Sequence, residues 1–145
     1  FVKALEVLRA NPRTDPKRIA AIGFCFGGTV CLEMARAGVD LAGVVSFHGG
    51  LKSSVPESER NLKAKVLVCH GADDPHVSPE ELRAFEDEMR QAGADWQLIS
   101  YGGAVHSFTN PEADRRGMSG VAYHQKADRR SWQAMQNFFN EIFAK

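Results

Sequence analysis

The sequence is short of cysteine, of net charge and of long apolar runs, and each shortage excludes a class of function. Eighteen basic residues balance eighteen acidic ones, so no overall field recruits nucleic acid or an anionic membrane surface. A small neutral or weakly charged ligand suits such a surface better. The three cysteines, at 25, 31 and 69, form neither a paired framework nor a CxxC zinc set, which points to reduced thiols in a cytosolic setting. No run is long and apolar enough to cross a bilayer. The start, Phe1-Val2-Lys3, has neither the charged region nor the apolar core of a signal peptide, and no initiator Met, so the expectation is a chain that begins in mid-protein. Internal repeats, low-complexity tracts and linkers are also missing.

What is there is enough for one domain with a core: 145 residues, 43% of them hydrophobic and 25% charged. Phe1, Leu5 and Leu8 share a helical face that stops at Asn11-Pro12, but no capping residue precedes it. Arg18 to Phe24 reads as a buried strand, followed by a helix from about Gly27 to Ala37 that Gly38 ends as a left-handed cap. Leu41–Phe47 and Lys65–Cys69 are short valine-rich runs, consistent with parallel strands covered on both faces. Between them, Lys52 to Leu62 is polar and carries Pro56, which suits a loop or a poor helix. Ser78-Pro79-Glu80-Glu81 is a capping-box start for a helix ending at Gly93. Asp95–Tyr101 alternates as a strand nearer an edge would, and a last helix over about Ala127–Phe143 has Trp132, Met135, Phe139 and Ile142 on one side.

This order predicts a parallel α/β sheet in which the helices after the first and third strands share one face and the C-terminal helix covers the other. The first strand is left with an unpaired edge, which invites pairing with another copy or with an N-terminal segment and implies N-terminal strands absent from this chain.

The decisive local feature is Gly23-Phe24-Cys25-Phe26-Gly27-Gly28, a sharp strand-to-helix turn with a thiol at its apex. Small residues two positions either side remove Cβ atoms that would clash there. A helix N-terminus behind the sulfur favours negative charge on it. Parallel sheets gather ligand sites at the carboxyl ends of their strands. The residues placed there are Cys25, His48-Gly49-Gly50, His70 to His76, and Gly102 to His106. Cysteine, acid and histidine thus follow the α/β-hydrolase order of nucleophile, acid and base, with cysteine in place of serine. Histidine takes the thiol proton, a carboxylate orients the far ring nitrogen, and the backbone N–H of Phe26 is one oxyanion donor.

Blander readings compete with each assignment. A cysteine after a strand is commonly a small buried hydrophobe, and that reading is kept for Cys31 and Cys69. Asp74 could cap a turn before Pro75, Asp73 is a rival acid, and His106 could be a surface-loop histidine. His48-Gly49-Gly50 resembles an oxyanion loop, yet it follows the nucleophile and reads better as a strand-end turn. A dinucleotide fingerprint wants glycine where Cys25 stands, a phosphate loop wants a lysine before Thr29, and His70, Asp73, Asp74 and His76 match no strong metal spacing.

Together, Gly23–Gly28, His70-Gly71-Ala72-Asp73-Asp74-Pro75-His76-Val77 and Tyr101-Gly102-Gly103-Ala104-Val105-His106-Ser107-Phe108-Thr109-Asn110-Pro111 resemble the dienelactone hydrolase (carboxymethylenebutenolidase) family over essentially the whole chain. The resemblance implies the C-terminal portion, 1–145, of a single α/β-hydrolase domain, with Cys25 as nucleophile, His106 as base and Asp74, three residues after Gly71, as the orienting acid. It implies hydrolysis of a small-molecule ester, thioester or lactone through an acyl-enzyme, with no metal or organic cofactor. The family's best-known member has a substrate-binding arginine four residues after the histidine; this sequence has Asn110 there, with Arg115 and Arg116 beyond. The family's other substrate arginine, the glutamate that pairs with the resting thiol and a second oxyanion donor come from segments before the elbow. The contrasting expectation is a non-catalytic relative serving as a binding or assembly module.

Overall fold

The computed structural model describes residues 1–144. Four parallel strands, β1 (Ala20–Phe24), β2 (Gly43–Phe47), β3 (Lys65–Gly71) and β4 (Trp96–Tyr101), lie side by side in chain order. Each connection is a crossover, so successive strands add steadily in one direction. Helices α1 (Val2–Ala10), α2 (Phe26–Arg36), α3 (Pro79–Gln91) and α4 (Gln125–Ile142) complete the layers, with short 3-10 turns at Glu57–Glu59 and Ala113–Arg116.

Strand alternation sorts the core into two halves. Val44, Val66 and Val68 face Leu5 of α1, Cys31, Leu32 and Ala35 of α2, and Phe85 and Met89 of α3. Val45, Phe47, Leu67, Cys69 and Tyr101 face Ala127, Met135 and Phe138 of α4. The predicted division of helices between faces is therefore observed. Every residue of β2 is buried, as expected of a central strand with helices on both sides. Trp96 and Leu98 pack on the α2–α3 side, whereas Ile99 packs on the α4 side. In β1, which pairs only with β2, Ile22 and Phe24 are each 42% exposed. That is the open edge the sequence pattern implied.

The local signals act as read. Ser78 accepts a hydrogen bond from the Glu81 N–H while the Glu81 carboxylate accepts one from the Ser78 N–H, and Pro79 opens α3. Gly38, at φ 73°, ends α2 in the left-handed region. The last helix differs in two respects. It starts at Gln125, because the His124 Nδ1 accepts from the Ala127 N–H and serves as its cap. Its buried stripe is Ala127, Ser131, Met135 and Phe138, so Trp132, rotated about 100° from Ser131, is 47% exposed rather than packed. Phe139 and Ile142 lie at the margin of the core, partly buried.

Arg36 is the largest fully buried side chain. It donates to Glu33 and, in two bonds, to Glu88, and it caps the Leu51 carbonyl, tying α2 to α3 across the sheet face. No helix among the described residues is long and apolar enough to cross a membrane.

Candidate active site

Cys25, His48, Asp74 and His106 all follow strand ends, on one side of the sheet. Cys25 sits at the apex between β1 and α2 with φ 54° and ψ −122°, a conformation that L-residues adopt only under constraint. Its N–H donates both to the Phe47 carbonyl, at 3.0 Å, and to the His48 Nδ1, at 3.2 Å. Gly23 is obligatory, because a Cβ there would stand 2.1 Å from the Gly27 carbonyl oxygen. Gly27 is different: a Cβ on it meets nothing within 4 Å. Crowding therefore acts on one flank of the turn and leaves the other open.

Cys25 Sγ lies 3.0 Å from His106 Nε2, and His106 Nδ1 lies 2.9 Å from Asp74 Oδ2. The Asp74 side chain is fully shielded from solvent and also accepts from the His76 N–H at 2.9 Å. Asp73, the rival acid, is exposed; its N–H donates to the Ala104 carbonyl and so staples the acid loop to the histidine loop. That contact needs Gly71, where a Cβ would meet the Ala104 and Val105 carbonyl oxygens at 2.7 Å. His106 is itself held by backbone bonds to Gly120 and Ala122.

Electrostatics follow from these contacts. The bond to Asp74 is the main reason that the His106 pKa rises to about 9, against a smaller opposing effect of burial. Burial pushes the Asp74 carboxyl up, yet the bonds from His106 and the His76 N–H outweigh it and hold the carboxyl below its ordinary value. His48 goes the other way, down to about 4, because it is buried and faces His106. Cys31 and Cys69 are buried in opposite halves of the core, where burial raises their thiols to about 11 and about 12. Neither belongs to the site.

Among the described residues no three His, Cys, Asp or Glu side chains gather as a metal-binding group. His70 is buried with its Nδ1 unpartnered, and His76 is exposed with its ring edge-on to His106 at 5.0 Å. Arg115 pairs with Glu112 one turn away; the Arg116 side chain lies outside the described residues.

The model of the dienelactone hydrolase family matches residues 1–143. The chain belongs to that family. An uncharacterized protein of Caenorhabditis elegans is 41% identical over 97% of this chain and 90% of its own length. A dienelactone hydrolase-like promiscuous phosphotriesterase from metagenomic libraries is 48% identical with a TM-score of 0.89, and the protein m3DLH is 50% identical with a TM-score of 0.91. Each of these two matches covers 97% of this chain and 59% of the solved chain. Against most of the other curated relatives it matches, the chain spans about half their length. The architecture is the α/β-hydrolase fold of these dienelactone hydrolases.

The contacts around this site include residues that sequence reasoning passed over. His48, read as a strand-end turn, is buried beneath the Cys25–His106 contact and bonds at 2.8 Å to Thr109, three residues after His106. Ser107 adopts φ 60°. Cys25, His48 and Ser107 are the non-glycine residues with positive φ among the described residues, and all three flank the thiol–imidazole contact. A histidine directly after a central strand was the available signal for His48.

Proposed function

We propose that this dienelactone hydrolase family member cleaves a carboxylic ester, thioester or lactone at Cys25. The observation that carries the reading is the unbroken chain of contacts from Asp74 through His106 to the sulfur, 2.9 and 3.0 Å long. With its proton already held on His106 Nε2, whose pKa the bond to Asp74 raises, Cys25 Sγ attacks the carbonyl carbon, whose π electrons move to oxygen. The Phe26 N–H, which has no carbonyl a turn earlier to bond, receives that oxyanion. Collapse of the tetrahedral adduct breaks the bond to the leaving group, which takes the proton from His106. Water, deprotonated by the same nitrogen, then attacks the thioester, and the acid leaves as the sulfur is released beside the protonated His106.

Asp74 holds the Nδ1–H, so that Nε2 faces sulfur throughout, and stabilises the imidazolium. An open groove of about 430 Å³ beside the elbow, lined by Phe26, Val30, Met34 and Lys52, offers a surface for the acyl or alcohol group. The reading includes the chain as the C-terminal portion of a larger domain, with further strands adding at the β1 edge.

Reaction with p-nitrophenyl acetate, followed by mass spectrometry, tests the mechanism: an acetyl adduct on Cys25 and inactivity of Cys25→Ala are expected. Activity retained by Cys25→Ala overturns it. The 48% identity to the promiscuous phosphotriesterase favours a second substrate class, phosphotriesters, attacked by the same sulfur at phosphorus. Cys25-dependent release of nitrophenolate from diethyl p-nitrophenyl phosphate tests it, and no release above the Cys25→Ala background removes it.

A further inference from the structure

Three histidines around the site take no part in the mechanism above: His70, His76 and His48. His70 has one unpartnered nitrogen and no neighbour that defines a ligand, while His76 contributes one ring-edge contact. His48 is different, because both its ring nitrogens are committed. Nδ1 faces the Cys25 N–H at 3.2 Å and must accept; Nε2 then carries the proton and donates to Thr109 Oγ1 at 2.8 Å. The ring is 3% exposed and stands edge-on to both His106, at 5.3 Å, and Phe108, at 5.2 Å.

Those two bonds join the two strained turns of the site. On one side is the elbow, with Cys25 at φ 54°; on the other is the loop carrying His106, with Ser107 at φ 60°. A strained backbone persists only where its surroundings over-determine it, and the reacting atoms sit at the tips of those turns. We propose that His48 is a positioning residue, a neutral strut between the Cys25 backbone and Thr109 that sets the separation of Cys25 Sγ from His106 Nε2.

The strut works in one protonation state. A proton on Nδ1 would break the bond to the Cys25 N–H and put a second cation edge-on to His106, with the Asp74 carboxylate as the opposing charge in the cluster. Burial and His106 both act against that proton.

The inference rests on the proposed hydrolytic reading for its kinetic arm, but not for its chemical one. His48→Phe fills the ring's place and removes both bonds; His48→Asn restores an acceptor where Nδ1 was; Thr109→Val removes only the far anchor. With p-nitrophenyl acetate, His48→Phe is expected to lower kcat about 10- to 100-fold with KM within about twofold, as misplacement of reacting groups does. His48→Asn should recover most of that loss, and Thr109→Val should lose about fivefold. Alkylation of Cys25 by iodoacetamide should slow in the same order.

In wild-type protein, imidazole ¹⁵N shifts should show His48 as the neutral Nε2–H tautomer from pH 8 to about 5. Unchanged kcat and alkylation in His48→Phe, or a cationic or Nδ1–H His48 at pH 6, overturns the proposal. Should His48→Phe fail to fold, Thr109→Val and the wild-type spectrum serve as the test in its place, with unchanged alkylation in Thr109→Val overturning the strut. Wild-type protein inert to the ester defeats the hydrolytic reading alone, because the alkylation series still decides the role of His48.

Discussion

Cys25 Sγ and His106 Nε2 stand 3.0 Å apart although 81 positions of chain separate them. Neither side chain has freedom to find the other, since each sits on a turn whose backbone is forced. The β1–α2 elbow projects the sulfur, and the staple between Asp73 and Ala104 brings the histidine loop to the acid loop. The contact is a property of the sheet's carboxyl edge, and the way that edge is built has measurable consequences.

Under the proposed mechanism, removing the Asp74 carboxylate that bonds to His106 should separate tautomer control from nucleophilicity. In Asp74→Asn the principal cause of the raised His106 pKa disappears, so the imidazole should titrate well below 9, toward its ordinary 6.5. Ester hydrolysis should fall by about 100-fold or more. An NMR titration of the His106 Cε1–H, together with kcat, checks both; an unmoved His106 titration would refute the assignment of Asp74.

Stability should peak where the windows of two histidines meet. His106 binds its proton more tightly folded than unfolded, so its contribution is fully present below pH 6.5 and is lost as pH rises through about 9. His48 is held neutral in the fold, so its contribution is present above pH 6.5 and lost as pH falls toward about 4. The two together place the optimum near pH 6.5. Urea midpoints from pH 4 to 9.5 measure it, and His106→Gln should flatten the alkaline side and, by removing the charge that His48 faces, shift the acid side toward lower pH.

The glycines of the elbow should respond unequally. Gly23→Ala drives a Cβ into the backbone of Gly27, and the cost should exceed about 3 kcal/mol. Gly27→Ala, in the first turn of α2 with open space before it, should leave stability unchanged or raise it by up to about 1 kcal/mol. Thermal melts of the two variants decide the matter. A tolerated Gly23→Ala would mean that the turn is not held as described.

Arg36 should be the costliest charged residue to lose. It is 1% exposed, and Glu33 and Glu88 are themselves only 13% and 14% exposed. Arg36→Met leaves the Leu51 carbonyl without its donor, and leaves Glu33 only Ser54 and Glu88 only Arg60 as partners, which should cost about 2–4 kcal/mol. The same change at Arg83, whose partner Glu80 is mostly exposed, should cost well under about 1 kcal/mol. Chemical denaturation of both variants makes the comparison.

Much of this molecule was readable one segment at a time. The capping box at Ser78, the left-handed cap at Gly38, the valine-rich central strands and the glycine-flanked Cys25 act over a few residues, so composition and spacing reveal them. The order of strand ends also announced which loops would share one edge of the sheet. Less visible were the features made by neighbours distant in sequence. Trp132 has the right hydrophobicity for the core but the wrong rotation once Ser131 faces inward. Gly27 looks equivalent to Gly23 until the third dimension shows that only one of them is crowded.

From the sequence alone came the parallel α/β plan, the resemblance to the dienelactone hydrolases and three residue types in nucleophile, acid and base order, because periodicity and turn chemistry are local and survive in a string of letters. Asp74 was preferred over Asp73 there by that resemblance. Only the tertiary structure showed Asp74 bonded to His106 with Asp73 turned to solvent, tied His48 to Thr109, and buried Arg36 between two helices. Each of those depends on a distance across the sheet, where a few tenths of an ångström separate a hydrogen bond from a clash, and no one-dimensional pattern encodes that separation.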